Sequence, residues 1–268
     1  MYMLGGITKV FKILFFIIFK KNNFFRNYLL TPEYFQKISQ LSKEDHYDLV
    51  DFLQNITNLD NSFLQYYSSQ PFNSQIKRTE IITSILETYK PEVILETGTF
   101  LGSTTEYLSA YAKKVITIER SELYYLVAAA RLQKIDNVEL LNENSSEYII
   151  NNKFNDKSHF FYLDAHWGNY LPLQDELEQI FKMKNFIVCI DDFKVPDGQD
   201  WGYDGRDEVF DNSELSLEYF KIVLSQSVFF PDYDLNHETG GKRGSIFISS
   251  KGICTEILSS QSNLKKYN

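Results

Sequence analysis

The chain has only two cysteines in 268 residues, Cys189 and Cys254. Two thiols give no disulfide framework, and a reducing cytoplasm suits them. Cys189 sits in an apolar run and reads as core. The chain also lacks a long basic segment outside its N-terminal region. Its net charge is −9 and its pI is near 5.0, which disfavours a nucleic-acid partner. It lacks an apolar run of spanning length as well. After Lys12 the uncharged apolar stretch is 13–19, far short of the ~20 residues a transmembrane helix needs. No small-residue cleavage site follows, only Lys20-Lys21-Asn22-Asn23-Phe24-Phe25, which argues against a secretory signal. There is no internal repeat.

What the N-terminus does carry is a basic, aromatic-rich segment, 7–21, with Lys9, Lys12, Lys20 and Lys21 around Phe and Ile residues. Within a unit spanning 1–30, this pattern predicts a helix lying on the inner face of the membrane as a peripheral contact. The alternative is a helix packed on the rest of the chain or on a second copy in a homodimer. Residues 31–76 predict a helical cap, with helices at 33–41 and 43–55. Residues 77–268 form the main domain, long enough for one sizeable core.

That domain alternates. Apolar runs predict strands near 93–96, 115–118, 138–141, 159–163, 186–190, 228–234 and 244–249. Amphipathic runs predict helices near 74–89, 103–112, 122–134, 172–182 and 213–226. Strand–helix alternation means an α/β fold with a mostly parallel, doubly wound, Rossmann-like sheet of seven strands.

The most informative stretch is 93–105. An apolar strand ends in Glu96, a loop with Gly98 and Gly102 follows, and a helix opens at Ser103. Strand, acid, glycine loop and helix describe a nucleotide-binding turn. The three-glycine dinucleotide pattern is incomplete, because Phe100 fills the middle position. A bulky residue there argues against a pyrophosphate and suits a cofactor with an amino-acid end and a nucleoside end. Glu119 ends the second strand, 21 positions after Gly98, the spacing expected of an acid that accepts from ribose hydroxyls. A solvated strand-end acid is the plainer alternative.

Three more acids end strands: Asp164 after 159–163, and Asp191 with Asp192 after 186–190. Neighbouring parallel strands deliver such residues to one crevice. Converging carboxylates repel one another unless a cation lies among them, and hard oxygen ligands favour Mg²⁺ or Ca²⁺. Alternatively, one aspartate caps a helix and the others are solvated.

With these residues in place, the chain resembles the class I S-adenosylmethionine-dependent methyltransferases, above all the metal-dependent O-methyltransferases of the catechol and caffeoyl-CoA type and the sugar O-methyltransferases. The resemblance covers about 77–250. It rests on Glu96-Thr97-Gly98-Thr99-Phe100-Leu101-Gly102, on Asn142-Glu143-Asn144-Ser145-Ser146, on Asp164-Ala165-His166-Trp167 running into Tyr170-Leu171-Pro172, and on Asp191-Asp192. It implies S-adenosylmethionine as cofactor and the methyltransferase sheet, in which the last of seven strands is antiparallel. Glu96, Gly98, Thr99, Gly102 and Ser103 would bind the cofactor, with Glu96, Gly98 and Ser103 at its amino-acid end. Glu119 would hold the ribose, Ser145 would touch adenine, and Asp164, His166 and Trp167 would complete the pocket. Asp164, Asp191 and Asp192 would hold Mg²⁺ or another divalent cation. Catechol-type enzymes carry a lysine directly after the Trp, where this chain has Gly168, and this chain has an extra Ala165. His166 is the substitute base, since imidazole titrates near neutral pH; it could also only pack on the cofactor.

The resulting expectation is methyl transfer to a hydroxyl of a small molecule or glycan with a vicinal diol, where a bound cation lowers the hydroxyl pKa. Metal-independent methylation through His166, or a non-catalytic cofactor-binding scaffold, are the alternatives. Two loops should face the acceptor. One is 193–212, with Lys194, Asp197, Trp201, Tyr203, Asp204, Arg206 and Asp207. The other is 236–244, with His237, Gly240, Gly241, Lys242 and Arg243, either a hairpin turn or a basic clamp.

Overall fold

The computed structural model describes residues 70–152, 154, 157–166, 171–205 and 214–267. The segment 7–21, the helices expected at 33–41 and 43–55, and Trp167 lie outside the described residues. Among the described residues no helix is long and apolar enough to cross a membrane.

Eight strands of the described residues form one sheet: β1 (Val93–Thr97), β2 (Lys114–Ile118), β3 (Val138–Leu141), β4 (His159–Leu163), β5 (Phe186–Asp191), β6 (Ser227–Pro231), β7 (Ser245–Ser249) and β8 (Leu264–Lys266). Their order is β3-β2-β1-β4-β5-β7-β6-β8. The first five are parallel. β7 runs against both β5 and β6, and β8 runs against β6. The seven expected strands are present and the seventh is the antiparallel one. The sheet gains an unexpected eighth strand at its edge.

Side chains alternate across the strands, and both faces are covered. Leu95, Ile116, Phe161, Val188 and Ile248 point into one core with Ile149, Leu173 and Leu177. Ile94, Val115, Phe160, Ile187 and Phe247 point into the other with Ile82, Ile85 and Leu258. β1, β4, β5 and β7 are buried along their whole length, as central strands coated on two sides must be. The covering helices are α1 (Ile76–Tyr89), α2 (Ser103–Leu108), α3 (Glu122–Leu132), α4 (Ser145–Asn151), α5 (Leu173–Ile180) and α6 (Ile253–Ser259). Ser121 caps α3 and Asn144 caps α4 by accepting backbone N–H bonds, which ends the preceding loops where the helices begin.

The helix expected over 213–226 is not formed in its described part. Leu215, Phe220 and Val223 are buried, so the apolar spacing is real. However, the chain around Leu215 bonds to Asp204 and Lys194, and only the short 3-10 helix Lys221–Ser225 follows. The loop before β7 wraps the start of α1. Glu238 accepts from the N–H groups of Lys77 and Arg78 at 2.9 and 3.1 Å. Gly240 approaches so closely that a Cβ would lie 2.1 Å from the Asn73 carbonyl oxygen.

Candidate active site

The chain order reverses between β1 and β4, and the carboxyl ends of these parallel strands open a crevice where ligands bind in such sheets. The register is level there. Thr97 pairs with Ile118 and Leu163, and Leu163 pairs with Ile190. Gly98, Glu119, Asp164 and Asp191 therefore leave the sheet along one rim.

The glycine loop is built against β4. Gly98 has φ +81°, and a Cβ on it would lie 2.3 Å from the Asp164 carbonyl oxygen. Only glycine permits both. Gly102, at φ 74°, precedes α2, which Ser103 opens. Glu119 accepts from the N–H of Phe100 and of Ser121, both at 2.8 Å. Burial raises its pKa against these backbone bonds.

Three expected cofactor residues lie deeper than a direct contact requires. Glu96 is 1% exposed and accepts from Thr105, and from Thr117 at 2.6 Å. Burial pushes its carboxyl up to about 7, against those hydroxyl bonds. It ties β1 to β2 and to α2. The Thr99 hydroxyl is also spent inside, 2.6 Å from that of Thr117. Ser145 is buried and donates to Glu176 at 2.6 Å; burial likewise pushes Glu176 up to about 7.

The aspartates separate into two roles. Asp191 was expected among the cation ligands, but its carboxylate is filled by four donors. Arg78 and the Asp192 N–H (2.7 Å) reach Oδ1, and Tyr162 (2.5 Å) and Asn73 (3.3 Å) reach Oδ2. No lone pair remains for a metal. Asp164, His166 and Asp192 do converge, with one ligand atom from each lying within 4.8 Å of the others. His166 Nε2 is 3.7 Å from Asp164, 3.4 Å from Asp192 and 3.3 Å from Asp204. Burial works against the imidazolium, but the Asp192 hydrogen bond and the carboxylates outweigh it and raise the His166 pKa. In turn His166 and Arg243 overcome burial and hold Asp192 down to about 2. Asp164 is raised well above the carboxylate range by burial and by Asp191.

Asp204 and Arg243 belong to this centre. Arg243 donates Nε to Asp192 Oδ1 at 2.6 Å and Nη2 to Asp204 Oδ1. Both stood in loops expected to face an acceptor; their meeting across the sheet end had no local signature. Arg243 is thereby committed to carboxylates rather than to a basic clamp on an anion. Trp201 is buried too, donating to Asp197 at 3.1 Å and packed edge-on to Tyr233, so it presents no stacking platform.

Two oxygens and an imidazole nitrogen, with further carboxylates behind them, form a donor set that fits a divalent cation.

No family model matches the sequence, and no curated protein matches it. Among solved structures the chain is similar to TomG, an O-methyltransferase of Streptomyces achromogenes involved in tomaymycin synthesis and solved with S-adenosylmethionine. The two are 15% identical, the match covers 79% of this chain and 100% of that one, and the TM-score is 0.50. An O-methyltransferase of Bacillus cereus, solved with S-adenosylhomocysteine, is 18% identical over 84% of this chain and 99% of its own, at a TM-score of 0.48. Such identities bear on the fold alone: the chain has the Rossmann-like fold of the class I methyltransferases.

Proposed function

We propose that this protein is an S-adenosylmethionine-dependent O-methyltransferase that methylates a hydroxyl of a sugar, glycan or other vicinal diol with the help of a divalent cation. One observation carries the reading. The glycine loop with Glu119 and the group Asp164, His166 and Asp192 share one rim, joined where Gly98 packs on the Asp164 backbone.

S-adenosylmethionine would lie over the loop 98–102, with its ribose on Glu119, and supplies a methyl already activated on sulfonium. A divalent cation held by Asp164, His166 and Asp192 would lower the pKa of an acceptor hydroxyl and fix its oxygen. The chain's own work is alignment: a rigid rim brings cofactor and acceptor sites into one geometry.

A second reading has its own support. The raised His166 is surrounded by three carboxylates that stabilise its protonated ring, so His166 could take the hydroxyl proton without a metal. The ring nitrogen cannot hold a proton and a cation together. Labelled methyl transfer to a panel of sugars and catechols, run with Mg²⁺ or Mn²⁺ and with EDTA, tests both. Turnover that disappears with EDTA supports the first reading, and turnover indifferent to EDTA supports the second. No transfer to any acceptor counts against both. The N-terminal segment 7–21 would bring the enzyme to a membrane surface, as part of the same proposal.

A further inference from the structure

We infer that Asp204 is a fourth ligand of the cation centre and that Arg243 is the positioning residue that sets it; this rests on the cation-assisted reading above. The geometry is a clamp. Arg243 binds Oδ1 of Asp192 and Oδ1 of Asp204. Oδ2 of each then faces His166 Nε2, at 3.4 and 3.3 Å. Two carboxylates from different loops thus turn one oxygen each toward His166 Nε2, because one planar guanidinium holds their other oxygens; Asp204 stands just outside the 4.8 Å group of Asp164, His166 and Asp192. A forked donor does this where an ammonium could not.

The backbone delivers Asp204 to that point. Asp204 N–H donates to the Asp192 carbonyl at 3.0 Å, and the Asp204 carbonyl accepts from Leu215 at 2.9 Å. Gly205 bridges to Glu214. Gly202 bridges to Arg243 itself, so both halves of the clamp are tied to one another. Arg243 is in turn held from behind: Gln75 accepts from its N–H at 2.7 Å and donates to its carbonyl at 3.0 Å. The loop 193–205 therefore finishes the centre rather than merely covering it.

The test is Mn²⁺ binding to the full chain by calorimetry and electron paramagnetic resonance, in the absence of turnover. Wild type is compared with Asp204→Asn and Arg243→Gln, with S-adenosylhomocysteine binding as the check that each variant is folded. Loss of a ligand or of its orienting partner lowers metal affinity about ten- to hundredfold, and that is expected for both variants. The sign for Arg243→Gln is decisive. If Arg243 only offset charge, removing it would tighten Mn²⁺, and its positioning role would be overturned. Unchanged affinity in Asp204→Asn overturns Asp204 as a ligand while leaving the three-residue site intact. Wild type that binds S-adenosylhomocysteine but no Mn²⁺ removes the cation reading and this inference together. Should a variant fail the folding check, Asp204→Glu and Arg243→Lys replace it, and both are expected to weaken Mn²⁺ because charge is kept and geometry is lost.

Discussion

Arg78 and Asp191 form an ion pair sealed inside the protein, with side chains 1% and 0% exposed. Arg78 projects from α1 across the end of β5. It also donates to the carbonyls of Arg243 and Gly244. The pair thus sits directly behind the cation centre and joins α1, β5 and β7 at the rim.

Removing one partner leaves a buried charge alone, which typically costs about 3–5 kcal/mol. Arg78→Met should therefore lose stability of that order in urea unfolding. Arg78→Met combined with Asp191→Leu should recover part of it. A single variant as stable as wild type would show that the pair is dispensable.

Asp191 and Asp192 are adjacent but should respond differently. Asp192→Asn should abolish Mn²⁺ binding and also lose some stability, since His166 and Arg243 stabilise its charged form. Asp191→Asn should destabilise the fold by about 3–5 kcal/mol as the Arg78 charge is left uncompensated. Equal loss of Mn²⁺ without loss of stability in the Asp191 variant would return it to the ligand set.

Glu96 gives a pH signature. Its folded pKa is raised from 4.5 to about 7, so the folded state holds a proton that the unfolded state releases. The neutral carboxyl is favoured below 4.5, and stability falls as pH rises from there through about 7. Each tenfold difference in proton affinity between the two states is worth about 1.4 kcal/mol, which makes the loss across the window on the order of 3 kcal/mol. Glu96→Gln, which mimics the protonated acid, should flatten that slope between about pH 5 and 7.5 in chemical denaturation. A slope identical to wild type would mean the proton is not held on Glu96.

Much of this architecture was legible in the chain because central strands announce themselves. The runs 160–163 and 186–190 are continuously apolar, and an acid follows each at the level of the sheet edge. β8 was not legible: Leu264–Lys266 is three residues long, two of them lysine, and exists only by pairing with β6. The run 213–226 misled because Leu215, Phe220 and Val223 anchor an irregular chain to the core at a spacing that also suits a helix. The different surroundings of Asp191 were hidden for a related reason. Its donors Asn73, Arg78 and Tyr162 come from remote elements, so nothing near 191 tells it apart from Asp192. Asp204 and Arg243 were visible as loop residues; that one guanidinium would join Asp192 and Asp204 depends on the closed sheet.

The central claim is that the rim binds S-adenosylmethionine over Gly98 and beside Glu119. Calorimetric titration with S-adenosylhomocysteine, on wild type and on Glu119→Ala, tests it most directly. The account predicts micromolar binding to wild type and at least about a tenfold loss in Glu119→Ala, the cost of about 1.4 kcal/mol of ribose contact. Folded wild type that takes up no S-adenosylhomocysteine, with or without a divalent cation, would contradict it.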